Sequence, residues 1–154
     1  MKPIVEKLWE YKGYRCAVLF QPMCHRCGYI EIPKDSKYFN VAYDDIPIDV
    51  HGGLTYGRDY LSEVSKQEDG TYWIGWDYAH YMDCNDYESA LEYYKDDEKA
   101  VEQILRMKEI MSYSEGWSYS QTSVECDCER VVEQLIELDN PNKNLGDNYE
   151  RIKL

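Results

Sequence analysis

The stretch Thr71-Tyr72-Trp73-Ile74-Gly75-Trp76-Asp77-Tyr78-Ala79-His80 decides how the chain is read. Tyr72, Ile74, Trp76 and Tyr78 alternate with Trp73, Gly75, Asp77 and Ala79. A period of two puts one set on each face of a β-strand. Downstream the period changes. Ala100, Val101, Ile104, Leu105 and Lys108 fall at helical spacing and predict a helix over most of Asp97 to Ser112. Val124, Cys128, Val131, Leu135 and Leu138 then recur at steps of four, three, four and three, which is one helical face. Thr122 and Glu125 make a capping-box pattern ahead of them, and Asn140-Pro141 stops the helix.

Upstream of the decisive strand the signals are those of strands and turns. Ile4 to Glu10 and Arg15 to Gln21 flank Tyr11-Lys12-Gly13 and predict a hairpin. Cys27 to Ile32 reads as a short strand stopped by Pro33. Lys34 to Asp45 is polar and turn-rich. Ile46 to Tyr56 carries a strand pattern interrupted by Gly52-Gly53. Asp59 to Gly70 and Met82 to Asp86 read as loops. Strands first and helices afterwards predict an α+β fold, with a small, mainly antiparallel sheet from the N-terminal half and C-terminal helices packed on it. The expected division is a single domain over residues 1–141 and a polar tail over 142–154.

Seventeen basic against thirty acidic residues give a net charge of −13. That sign repels nucleic-acid phosphates and anionic membranes, so direct DNA or RNA binding is not expected. No apolar run approaches the roughly 18 residues of a membrane span. Charges through Met1 to Gln21 argue against a signal peptide. The expected compartment is the cytoplasm, where the six cysteines stay reduced. Tyrosine is over-used, at sixteen against two phenylalanines. Its apolar face and polar tip suit half-buried strands, interfaces and ring-stacking pockets.

The chemistry-bearing residues gather between Cys24 and Asp83. Cys24-His25-Arg26-Cys27 has a C-x2-C spacing, so Cys24 and Cys27 are the candidate zinc ligands. His51, His80, Cys84, or Cys126 with Cys128 would complete a tetrahedron, but no second C-x2-C exists. Small buried thiols are the plainer reading. In His51-Gly52-Gly53-Leu54-Thr55-Tyr56 the glycines let a ligand approach the main chain, and exposed N–H groups there hold phosphate or carboxylate oxygens. A glycine bulge in a strand explains them equally well. Trp76-Asp77-Tyr78-Ala79-His80 puts Asp77 within reach of His80, and that hydrogen bond would fix the imidazole tautomer. With His51 it would make an acid–base pair. A structural histidine at a strand end is the simpler alternative. No nucleophile elbow and no H-E-x-x-H motif accompanies these residues.

Taken together, Cys27-Gly28-Tyr29-Ile30-Glu31-Ile32-Pro33, Tyr43-Asp44-Asp45, Val50-His51-Gly52-Gly53-Leu54-Thr55-Tyr56 and Trp73-Ile74-Gly75-Trp76-Asp77-Tyr78-Ala79-His80 resemble an uncharacterised family of small proteins encoded by bacteriophages and prophages. The likeness spans about residues 14 to 83. The family pattern includes Cys27 and all three histidines but not Cys24, and Tyr78 stands where relatives often carry a cysteine. The resemblance implies a setting: an antagonist of bacterial anti-phage defence in the infected host cell. One expected form is a homo-oligomer that sequesters a nucleotide-derived immune signal. The residues expected to bind this small nucleotide-like ligand are His25, Cys27, Tyr29, His51, Gly52, Gly53, Thr55, Trp76, Asp77 and His80. An acidic protein that blocks a host defence enzyme is the alternative that suits the charge. A small metal- or His-dependent hydrolase is the third. Binding rather than catalysis, without an obligatory cofactor, is the leading expectation.

Overall fold

The computed structural model describes residues 1–111 and 116–141. The tail expected over 142–154 lies outside the described residues, as does Ser112. The chain opens with the expected hairpin, β1 (Ile4–Tyr11) and β2 (Tyr14–Phe20). Lys12 and Gly13 connect them at φ 47° and 85°. Two successive positive φ values are what a two-residue hairpin loop needs. Then come β3 (Arg26–Glu31), β4 (Tyr56–Arg58) and β5 (Trp73–Asp77). The five strands form one sheet in the order β1-β2-β3-β5-β4, antiparallel throughout. A two-residue strand, β6 (Asp83–Cys84), precedes α1 (Tyr87–Tyr93) and α2 (Glu98–Met111). It pairs in parallel with β7 (Trp117–Ser118), which leads into α3 (Gln121–Asp139). The fold is α+β, with its sheet from the N-terminal half and its helices from the C-terminal half.

Alternation along the strands builds two cores. On one face Cys16, Val18, Ile30, Ile74, Trp76 and Tyr78 meet Val124, Cys128, Val131, Val132 and Leu135 of α3. Each of these aliphatic side chains contributes roughly 1.5–3 kcal/mol on burial. On the other face Ala17, Leu19, Cys27, Tyr29 and Trp73 are covered by Leu61 from the loop between β4 and β5. Helices α1 and α2 gather at the end of β2, where Phe20 and Cys24 pack with Ala90, Tyr94, Ala100 and Ile104. Gly28 stands opposite Trp76 in the β3–β5 register, and a Cβ there would lie 2.4 Å from the indole. Only glycine lets that ring cross the neighbouring strand.

Three sequence expectations shift. α3 begins two residues before the capping box: Ser120 is the N-cap, and its side chain accepts the Ser123 N–H. Its hydroxyl is the first suitable acceptor before the apolar face starts. α1 was not legible as a helix, because its seven residues carry too short an apolar pattern. Ile46 to Tyr56 is turn and coil up to β4, so Gly52-Gly53 is no strand bulge.

Arg26 is the structural surprise, because a guanidinium sits in the interior at 5% exposure. An irregularity in the β1–β2 register between Val5 and Lys7 leaves Glu6 as the extra residue, and its side chain is only 1% exposed. Arg26 Nε and Nη2 donate to the two Glu6 carboxylate oxygens at 2.7 and 3.0 Å. Nη1 donates to Asp86 at 2.8 Å and to the Tyr119 carbonyl at 3.1 Å. Removing one member of a buried pair strands the other charge, which costs about 3–5 kcal/mol. Arg26→Met is expected to lower unfolding free energy by that amount in urea titration, and Glu6→Gln added to it should restore part. A loss under about 1 kcal/mol would show that the network is not a stability element.

Candidate functional site

The three histidines do not converge on one point. His51 and His80 meet at Asp83, while His25 is not part of that group and borders two clefts. His51 sits in a turn closed by the Gly53 N–H donating to the Val50 carbonyl at 2.8 Å. Its ring stacks on Tyr78, with centroids 4.8 Å apart and an interplanar angle of 13°, and leans on Tyr119 at 4.7 Å. Tyr78 is itself fixed: its hydroxyl donates to Asp127 at 2.6 Å and accepts the Trp76 indole N–H at 3.0 Å. Burial holds that phenol well above its ordinary titration range, so it stays protonated. His51 Nε2 lies 2.8 Å from Asp83 Oδ2. An ionised carboxylate only accepts, so the ring proton is on Nε2 in this bond.

Asp83 is 3% exposed and also accepts the His80 backbone N–H at 2.9 Å. The His80 ring directs Nδ1 between two carboxylates, 3.4 Å from Asp83 and 3.7 Å from Asp77. That nitrogen is buried and makes no hydrogen bond. The expected Asp77–His80 hydrogen bond is therefore absent. Asp77 is engaged elsewhere, accepting the Thr55 hydroxyl at 2.9 Å and the Ala79 N–H at 3.1 Å. Gly52 has φ 69°, and a Cβ there would lie 2.2 Å from His80 Cε1. The glycine is needed for the imidazole to pack against the main chain. The Gly53 N–H, spent within its turn, is not presented to an anion as the sequence suggested.

The remaining expected residues line a cleft on the sheet face opposite α3. His25, Cys27, Tyr29, Thr55, Trp76 and Asp77 border it, joined by Tyr56, and its volume is about 580 Å³. Trp76 belongs chiefly to the core, at 1% exposure. A second cavity of about 590 Å³ is lined by His80, Asp83, Cys84, Asn85 and Lys108. Met23, His25 and Ala79 border both. Sequence reasoning missed Asp83, Tyr119 and Lys108. Asp83 follows His80 by three residues and carries a readable i,i+3 signal, whereas Tyr119 and Lys108 arrive only through the helical half.

Among the described residues, no cysteine belongs to a group of three or more possible metal ligands. Cys24 packs with Phe20 and Ala90, whereas Cys27 packs with Leu19 and Tyr29. Burial pushes the Cys24 thiol up to about 11 and the Cys27 thiol up to about 12. All six cysteines are free thiols. A different group could hold a metal ion: one ligand atom each from His51, His80 and Asp83 all lie within 4.8 Å of one another. No helix among the described residues is long and apolar enough to cross a membrane. No protein-family model, no curated protein and no solved structure matches the chain.

Burial lowers the pKa of His25 below its ordinary value, outweighing the Met23 backbone hydrogen bond and the nearby Asp77 and Asp83. In the unfolded chain the imidazole titrates near about 6.5. Between that value and the lower folded one, the unfolded state binds more protons. The contribution of His25 is thus complete above about pH 6.5 and is lost as pH falls through the folded value. Thermal melts at about pH 7.5 and about pH 5 should show a smaller acid-induced drop in Tm for His25→Gln than for the parent chain. An equal drop in both would mean that His25 titrates no differently on folding.

Proposed function

We propose that the chain is a phage-encoded, cytoplasmic binding protein that captures a nucleotide-derived signalling molecule of bacterial defence. The observation that supports it most is the first cleft, whose polar groups are set for a neutral, donor-rich ring system. The Asp77 carboxylate is fixed by Thr55 and Ala79, so its free lone pairs face N–H or O–H donors such as a base amino group or ribose hydroxyls. Tyr29 and Tyr56 form an edge-to-face aromatic pair in the wall, at 5.2 Å. His25 is kept neutral by burial and offers one donor and one acceptor. The cleft's volume lies in the range of small-molecule sites.

None of the residues lining that cleft is Lys or Arg, so the phosphate end belongs in the second cavity, where Lys108 stands. A ligand spanning both would pass Met23, His25 and Ala79, which border the two cavities. Two copies acting together belong to the same proposal. The test is calorimetry against cyclic mono- and dinucleotides and ADP-ribose derivatives, with the ligand recovered and checked by mass spectrometry. Binding should be seen with at least one, weakened about tenfold or more by Asp77→Asn, for loss of a hydrogen bond to a charged acceptor. The ligand should be recovered intact. No binding at millimolar concentration would overturn the proposal, and steady cleavage would replace it with hydrolysis.

The charge of −13 favours a second reading, an acidic inhibitor that covers a basic host defence enzyme. A pull-down from host lysate at low salt that recovers a basic partner, and loses it at high salt, would support that reading. Recovery of none would remove it.

A further inference from the structure

We propose that His51, His80 and Asp83 form a binding site for one divalent transition-metal ion of the zinc class. The three donors come from the turn at His51, the bend between β5 and β6 at His80 and the start of β6 at Asp83, and they meet without help from the cysteines. Zinc bonds to imidazole nitrogen and carboxylate oxygen are about 2.0–2.1 Å, which places neighbouring ligand atoms about 3.3 Å apart on a tetrahedron. The observed separations from Asp83 Oδ2, 2.8 Å to His51 Nε2 and 3.4 Å to His80 Nδ1, bracket that spacing. The third separation, between the His51 and His80 nitrogens, lies within 4.8 Å, and the two rings would draw together on an ion to complete the fit.

Three further features point to an ion. First, His80 Nδ1 is buried and has no hydrogen-bond partner. Buried polar atoms are almost always satisfied, and a metal bond would satisfy this one. Second, both rings are held from behind. His51 is stacked on Tyr78 and backed by Tyr119, and His80 lies against Gly52. Such fixing of ligand rings is characteristic of metal centres. Third, a second carboxylate, Asp77, lies 3.7 Å from the same His80 nitrogen and adds negative charge beside it.

The donor set selects the metal. Two imidazoles and one carboxylate suit zinc, iron(II), cobalt or nickel, whereas magnesium and calcium need shells of oxygen. Binding at His51 Nε2 requires that nitrogen to give up its proton, with Nδ1 carrying the ring's N–H instead. The side of the group formed by His80 and Asp83 faces the second cavity, which leaves open positions for water or an oxyanion of a bound ligand. One carboxylate leaves the ion net positive. The metal site stands whether or not the clefts take a nucleotide.

The test uses the full chain, stripped with chelator, and the metals alone. Calorimetry with Zn²⁺ should give one equivalent per chain, Co²⁺ should develop the visible bands of a four- or five-coordinate ion, and Mg²⁺ should do neither. Losing a ligand should weaken zinc binding more than the ten- to hundredfold typical of outer partners, so His51→Gln and Asp83→Asn are each expected to lose more than about a hundredfold. Cys126→Ser, which removes the exposed thiol, should change nothing. NMR of the parent chain with Co²⁺ should broaden the His51 and His80 ring signals, which places the ion even if a variant fails to fold. Absent binding by the folded parent chain would overturn the assignment. So would unchanged affinity in folded His51→Gln, or zinc lost with Cys126→Ser.

Discussion

The buried charge of Arg26 is the constraint on which the rest of the molecule depends. A guanidinium cannot shed its proton, so an interior one must be surrounded by acceptors. Here they come from three parts of the chain: Glu6 on β1, Asp86 and Ser89 at the start of α1, and the Tyr119 carbonyl ahead of α3. At Asp86, burial alone would raise the pKa, but hydrogen bonds from Ser89 and Arg26 lower it below the usual range, so it stays ionised. The Asp86 N–H also donates to the Cys24 carbonyl at 2.8 Å. The segment carrying Asp83 is therefore tied to the sheet three residues from the carboxylate that joins the two histidines. The same arginine places Tyr119, which backs His51. Arg26 touches no functional group of either cleft, yet it sets where two of them stand.

The sheet and the long helices were legible because each carries its own period. Ile74, Trp76 and Tyr78 do face α3, and Trp73 does face the opposite core, as the alternation required. Val124, Cys128, Val131 and Leu135 are all buried along one side of α3. The Lys12-Gly13 turn was readable from its residue chemistry. Arg26 was not, because a basic residue between two cysteines reads as surface until its partners at positions 6, 86 and 119 are known. The same limit applies to the site. The motifs marked His51, Asp77 and His80, but pairing depends on which carboxylate the chain brings near. Asp77 is drawn away by Thr55 and Ala79, and Asp83 takes its place.

The surplus of tyrosine finds its explanation in tethers between sheet and helices. The Tyr11 hydroxyl donates to Glu133 at 2.8 Å and that of Tyr78 to Asp127 at 2.6 Å. Tyr14, Tyr93 and Tyr94 reach Asp139, Glu6 and the Lys2 carbonyl in the same way. The rings of Tyr14, Tyr78 and Tyr94 are buried and that of Tyr11 partly so, while each hydroxyl satisfies an acceptor that phenylalanine would leave unpaired. Four carboxylates, those of Glu133, Asp127, Asp139 and Glu6, are engaged in this way. Tyr78 does both tasks at once, since its hydroxyl holds α3 while its face carries the His51 ring.

Charge then decides what the two clefts can accept. Each has a carboxylate at its edge, Asp77 in the first and Asp83 in the second, and the chain as a whole is negative. A phosphate meets only Lys108 as a formal cation among the residues lining the second cavity. Long-range attraction cannot bring an anion there, because the surrounding field has the wrong sign. Recognition must come at short range, from donors fixed in place or from an ion held by the protein. A divalent metal on His51, His80 and Asp83 would reverse the local sign without altering the acidic surface. The first cleft needs no such reversal, since its carboxylate suits neutral donors. Under these two proposals, a hydroxyl- or amine-seeking cleft and a metal-dependent anion cleft would follow from where Asp77 and Asp83 each find their partners.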